Sequence, residues 1–112
     1  MPAFNIEKKE FKSKCGIKEE QIRDIIEDSF PVGDRINFAD VANKIKVGLK
    51  DLGYIFNVYV AYEPSHEFGT NCGICISCGE FIKYKVKYDG EWKAKNNDMD
   101  TPGSKYLVMI WK

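Results

Sequence analysis

The sequence predicts an α+β fold, with two N-terminal helices packed on an antiparallel sheet of four or five strands, and three observations carry that prediction. Two segments before Gly53 repeat apolar residues every three to four positions, the segments after it read as strands, and one of those strands alternates apolar residues with lysines. The 112 residues leave room for one domain and one core, so 1–112 is read as a single unit with residues 1–10 as a candidate flexible lead. Hydrophobic residues make up 44% and charged residues 30%, with a mean hydropathy of -0.39, the balance of a folded globular chain. Seventeen basic residues offset seventeen acidic ones, so no net field draws in nucleic acid or an anionic membrane. Any partner has to be recognised locally.

Residues 1–14 are polar and lysine-rich, with Phe4, Ile6 and Phe11 as scattered apolar points that support at most one edge strand near Phe11 to Cys15. The first helix is expected at about 18–30: Glu19 and Glu20 suit the positive first turn, Ile22, Ile25, Ile26 and Phe30 share a face, and Pro31 stops it. The second is expected at about 38–52, where Phe38, Val41, Ala42, Ile45, Leu49 and Leu52 form one apolar stripe. Asn37 is a good N-cap with Asp40 at the third helical position, Ile36 can staple onto Val41, and Gly53 supplies a left-handed stop.

Tyr54 to Tyr62 is rich in aromatic and β-branched residues and reads as the next strand, ended by Glu63-Pro64-Ser65-His66. Gly73 to Cys78 is a second run, and Gly79 separates it from Ile82-Lys83-Tyr84-Lys85-Val86-Lys87-Tyr88, a strand with one wet face. Asp89-Gly90 predicts a two-residue hairpin turn into a short extra strand at Glu91 to Lys95. After a polar loop from Asn96 to Ser104, the continuously apolar run from Lys105 to Lys112 is expected to be a central strand covered on both faces.

Certain of these residues resemble the smallest, homodimeric dynein light chains. Phe11 to Glu20 is similar to that family's opening, in which a short strand leads to an apolar residue, a spacer and a pair of glutamates starting the first helix. Asp40-Val41-Ala42-Asn43-Lys44-Ile45-Lys46-Val47-Gly48-Leu49 resembles its second-helix pattern of Asp, aliphatic, Ala, two variable positions, Ile-Lys, two more and a large apolar residue. Phe56 falls where the family begins a strand with an aromatic, Phe68-Gly69 resembles the entry to its dimerisation and binding strand, and Leu107 to Lys112 is similar to its closing strand. The Tctex-type dynein light chains are the related alternative, through Leu49 to Phe56. The resemblance implies a non-enzymatic module in which two subunits exchange a strand and thereby form grooves where client segments add as further strands. It implies Phe56, Phe68, Gly69, Thr70, Asn71, Cys72, Gly73, Ile74, Cys75 and Ile76 as partner-binding or dimer residues. The implied partners are a second copy and the dynein intermediate chain or other clients with linear segments, in the cytoplasm and cytoskeleton or the ciliary axoneme.

Direct reading of the chemistry points the same way. Cys72, Cys75 and Cys78 form overlapping C-x-x-C spacings, but on a strand Cys72 and Cys78 lie roughly 20 Å apart with Cys75 on the other face, so neither a metal centre nor a redox pair is expected. The four cysteines are read as free thiols, and no cofactor is called for. His66 is the single histidine and has no assigned partner; Ser65-His66-Glu67 holds triad residue types side by side, which does not make a triad. Lys83, Lys85 and Lys87, near Tyr84, Tyr88 and Trp92, suggest an alternative, a small nucleic-acid-binding or inhibitor domain, but alternation sends the lysines and tyrosines to opposite faces. No stretch has the length and apolarity to cross a bilayer, and Met1 to Lys9 lacks the apolar core of a signal peptide, so a cytosolic chain is expected.

Overall fold

The structure, a computed structural model, describes residues 4–31, 36–62, 79–88 and 105–112. Their elements run β1 (Phe4–Lys12), α1 (Glu19–Ser29), α2 (Phe38–Asp51), β2 (Asn57–Tyr62), β3 (Phe81–Tyr88) and β4 (Lys105–Trp111). The four strands form one antiparallel sheet in the order β1-β3-β4-β2. The fold class is therefore α+β, as expected, with one correction: a full strand precedes the helices.

That strand was hard to read because a bulge breaks its alternation. Phe4 and Ile6 are buried and paired with Tyr88 and Val86, the register shifts between Lys8 and Glu10, and Phe11 then pairs with Ile82. The extra residue returns Phe11 to the face that Phe4 and Ile6 occupy, so an even-numbered apolar set becomes an odd-numbered one. A strict period of two misses the strand. The outward residues are matched by charge, since Glu7 pairs with Lys85 and Glu10 with Lys83 across the strands.

Both helices begin by local hydrogen bonding, and α2 also ends by it. The Gln21 side chain accepts a hydrogen bond from the Lys18 amide at 3.1 Å, half of a capping box, while Glu19 and Glu20 occupy the first turn. Phe30, the residue before Pro31, is already extended at φ -88° and ψ 129°, the conformation a following proline favours. In α2 the Asn37 side chain accepts from the Asp40 amide at 3.0 Å. At its other end Gly53 takes φ +93°, the Gly53 amide donates to the Lys50 carbonyl at 2.9 Å and the Tyr54 amide to the Leu49 carbonyl at 3.0 Å. This is a Schellman closure. It ties Tyr54 to the helix end, which explains why β2 starts at Asn57 and not at Tyr54 as the composition suggested.

Ile22 and Ile26 from α1, Phe30 just past its end, and Val41, Ile45 and Leu49 from α2 pack with Val86, Tyr106, Val108 and Ile110 of the sheet. Leu52, expected in the same stripe, lies past the helix end and is 44% exposed. Rings close one end of this core: Phe4 lies 5.3 Å from Phe30 and 5.1 Å from Tyr88, and Tyr106 stands 5.8, 5.9 and 6.1 Å from Phe30, Tyr62 and Phe38. The central strand β4 is buried on both faces, with Leu107 and Met109 opposite the helix-side Tyr106, Val108 and Ile110. That matches its unbroken apolar sequence.

The helices approach each other at Gly48, where a Cβ would fall 2.9 Å from Ile25 Cγ2. Gly48→Ala is therefore expected to destabilise by about 1 kcal/mol in urea unfolding, despite the gain of roughly 1 kcal/mol that alanine brings to a helix interior. Gly48→Val is expected to cost about 2–3 kcal/mol. An alanine variant more stable than the parent would show that α1 and α2 separate freely.

Candidate functional site

A groove lies between α2 and β2, the last strand of the sheet in the described order. Phe38, Ala39 and Ala42 form one wall and residues 58–62 of β2 the other, enclosing about 710 Å³. The two alanines stand one helical turn apart, and their small side chains leave the space. The Asn37 cap and the Gly53 closure fix where α2 runs, and β2 is held in place by pairing from Asn57↔Trp111 to Tyr62↔Tyr106. The lining residues carry no carboxylate, amine, imidazole or thiol. Such a groove can hold apolar side chains beside a strand's main chain.

Among the described residues, the one nearly buried carboxylate lies at a different place. Glu80, the residue before β3, accepts hydrogen bonds through Oε1 from Ser13 Oγ, the Lys14 amide and the Cys15 amide, each at 2.9 Å. The Lys112 ammonium stands 4.0 Å from Oε2 and the Lys112 amide donates to the Glu80 carbonyl. Burial alone would raise this carboxyl's pKa, but hydrogen bonds from the Cys15 thiol, the Lys14 amide, the Ser13 hydroxyl and the Cys15 amide outweigh it and hold it down at about 2. The Cys15 thiol is free and lies 3.2 Å from Ser13 Oγ. These bonds join the β1–α1 turn to Glu80, next to β3, so the cluster is a structural clip.

A second polar cluster joins α1 to β1. Arg23 donates to the Ile6 carbonyl at 2.6 Å and to Glu19 at 3.0 Å, and Lys8 reaches the other Glu19 oxygen at 3.2 Å. Arg23 and Lys8 together lower the Glu19 pKa. The Arg23 guanidinium also lies 5.9 Å from the centre of the Tyr84 ring. The Tyr84 hydroxyl is buried without a hydrogen-bond partner among the described residues, and burial, followed by the Glu19 charge, pushes its pKa up to about 12.

The tyrosines of β3 point to the core and its lysines to the other face, as the alternation predicts: Tyr84 and Tyr88 are buried, while Lys83 and Lys85 are half-buried and sit opposite Glu10 and Glu7. In the register with β4, Lys83 and Lys85 also stand opposite Met109 and Leu107. That arrangement is not a bare cationic track.

Of the residues the sequence assigned to partner binding, the structure describes Phe56, and places it in the core at 2% exposure. Phe68, Gly69, Thr70, Asn71, Cys72, Gly73, Ile74, Cys75 and Ile76 lie outside the described residues, as do His66, Cys78 and the Asp89-Gly90 turn. Sequence reasoning used Phe38 and Ala42 as core positions and passed over Ala39; the paired small residues on α2 were the available signal for a groove. Nothing near Glu80 in the chain announces its clip, because its partners are 65 to 67 positions away. Among the described residues no group of three His, Cys, Asp or Glu could hold a metal ion, and no helix is long and apolar enough to cross a membrane. Compared with family models, curated proteins and solved structures, the chain gives no match.

Proposed function

We propose that the protein is a non-enzymatic, dimerising binding module of the dynein light chain kind, which captures extended segments of client proteins by strand addition. The observation that carries this reading is the apolar groove between α2 and β2, at the end of the sheet where β2 pairs with β4 alone among the described residues. A strand at a sheet edge offers main-chain donors and acceptors to another strand, and an adjoining apolar wall selects its side chains. Two helices with a four-stranded antiparallel sheet are also compatible with the plan the sequence resemblance implies, although a full strand comes first. In this proposal Phe68 to Ile76 forms the exchanged, partner-facing edge. Phe56 supports the site from within the core and does not touch the client. The clients are the dynein intermediate chain or other proteins of a motor or cytoskeletal complex, recognised through linear segments.

Sedimentation velocity at low micromolar concentration is expected to show a dimer. With a peptide selected from a displayed library, new amide protection is expected along residues 57–62 and 70–77. Ala39→Arg, on the exposed side of α2 at the groove wall, is expected to leave the fold intact and weaken capture about tenfold or more. A strictly monomeric protein, or a variant that captures the peptide as well as the parent, would sink the proposal.

A further inference from the structure

We infer that the outward groove between α1 and α2 is a second docking surface, and that its occupant is a basic amphipathic helix. This groove encloses about 440 Å³ and is separate from the one beside β2. Its apolar floor comes from Ile25, which is half-buried, and Val47, which is 47% exposed, brought together because Gly48 lets α1 lie close. Asp28 and Asp51 stand on its rim, and among the described residues neither forms an ion pair. Lys44 also lines the groove, but its ammonium is drawn one turn along α2 to Asp40 at 3.3 Å.

The charge placement adds a second argument. Helix α1 carries Glu19, Glu20, Asp24, Glu27 and Asp28 against the single Arg23, although the chain as a whole is neutral. Glu27 and Asp28 occupy its last turn, with no basic residue there, where the negative end of the helix dipole disfavours carboxylates. Glu27 and Asp28 oppose the stability of their own helix end, and Asp28 with Asp51 borders exposed apolar surface, a combination that suits a partner with lysines or arginines flanking an apolar stripe. A helix fits the channel between two packed helices by placing its side-chain ridge in their groove.

The test uses the full chain, a synthetic helical peptide with leucines on one face and lysines on the other, and a control peptide with glutamates in place of the lysines. Saturable binding of the lysine peptide is expected, with amide shifts centred on residues 25, 28, 44, 47, 48 and 51. Affinity is expected to fall between ~50 and ~200 mM salt. Asp28→Asn with Asp51→Asn, and separately Val47→Ser, are each expected to weaken it about tenfold. The Asp28→Asn change relieves the dipole conflict, so that variant is expected to melt no lower than the parent while binding less well. Absence of binding, equal binding of the glutamate peptide, shifts centred on β2, or insensitivity to all three substitutions would each overturn the inference. None of these outcomes depends on whether the protein dimerises or captures strands beside β2.

Discussion

Phe56→Ala is expected to unfold in urea with a loss of about 3–5 kcal/mol, the cost of deleting a buried aromatic ring. The ring is 2% exposed within the main core cluster, 6.5 Å from Tyr54, and the Lys112 ammonium lies 5.9 Å from its centre. Thermal melting is expected to fall by roughly 15 °C or more for a domain of this size. Phe56→Leu keeps most of the volume and is expected to cost no more than about 1.5 kcal/mol. The comparison separates two roles for this residue. A ring that served only to contact a partner would leave the isolated protein as stable without it, so a loss under about 1 kcal/mol for the alanine variant would contradict the buried placement.

Glu80→Ala is expected to cost about 3–4 kcal/mol, because it leaves the Ser13 hydroxyl and the Lys14 and Cys15 amides without their shared acceptor. Glu80→Gln is expected to lose about 2–3 kcal/mol, since an amide supplies one oxygen but no charge. The effect depends on pH with a definite sign. The folded carboxyl is held at about 2 against an ordinary value of 4.5, so its contribution is fully present above pH 4.5 and is lost as pH falls toward 2. The shift corresponds to roughly 3 kcal/mol of stability at neutral pH. Urea unfolding at pH 6 and pH 3 should therefore show a smaller acid loss in both variants than in the parent. An unchanged difference would mean that another carboxyl dominates acid sensitivity.

The sequence by itself determined the elements whose signals are local. Asn37 and Gly53 mark the ends of α2 because their hydrogen bonds and backbone angles involve neighbours only a few positions away. The alternation from Ile82 to Tyr88 assigned lysines and tyrosines to opposite faces, and the unbroken apolar run of β4 announced a strand covered twice. What only the tertiary structure decided is long-range. The order β1-β3-β4-β2 joins the first strand to one more than seventy positions later, and the bulge near Lys9 hides that strand from a period-two reading. Whether Phe56 faces inward, which side chains answer Glu80, and where Ala39 and Ala42 leave a groove beside β2 depend on the same distant pairings. Side-chain period and capping are set by bonds within one or two turns of chain, whereas sheet order and cavities arise from packing between segments whose sequences carry no mark of one another.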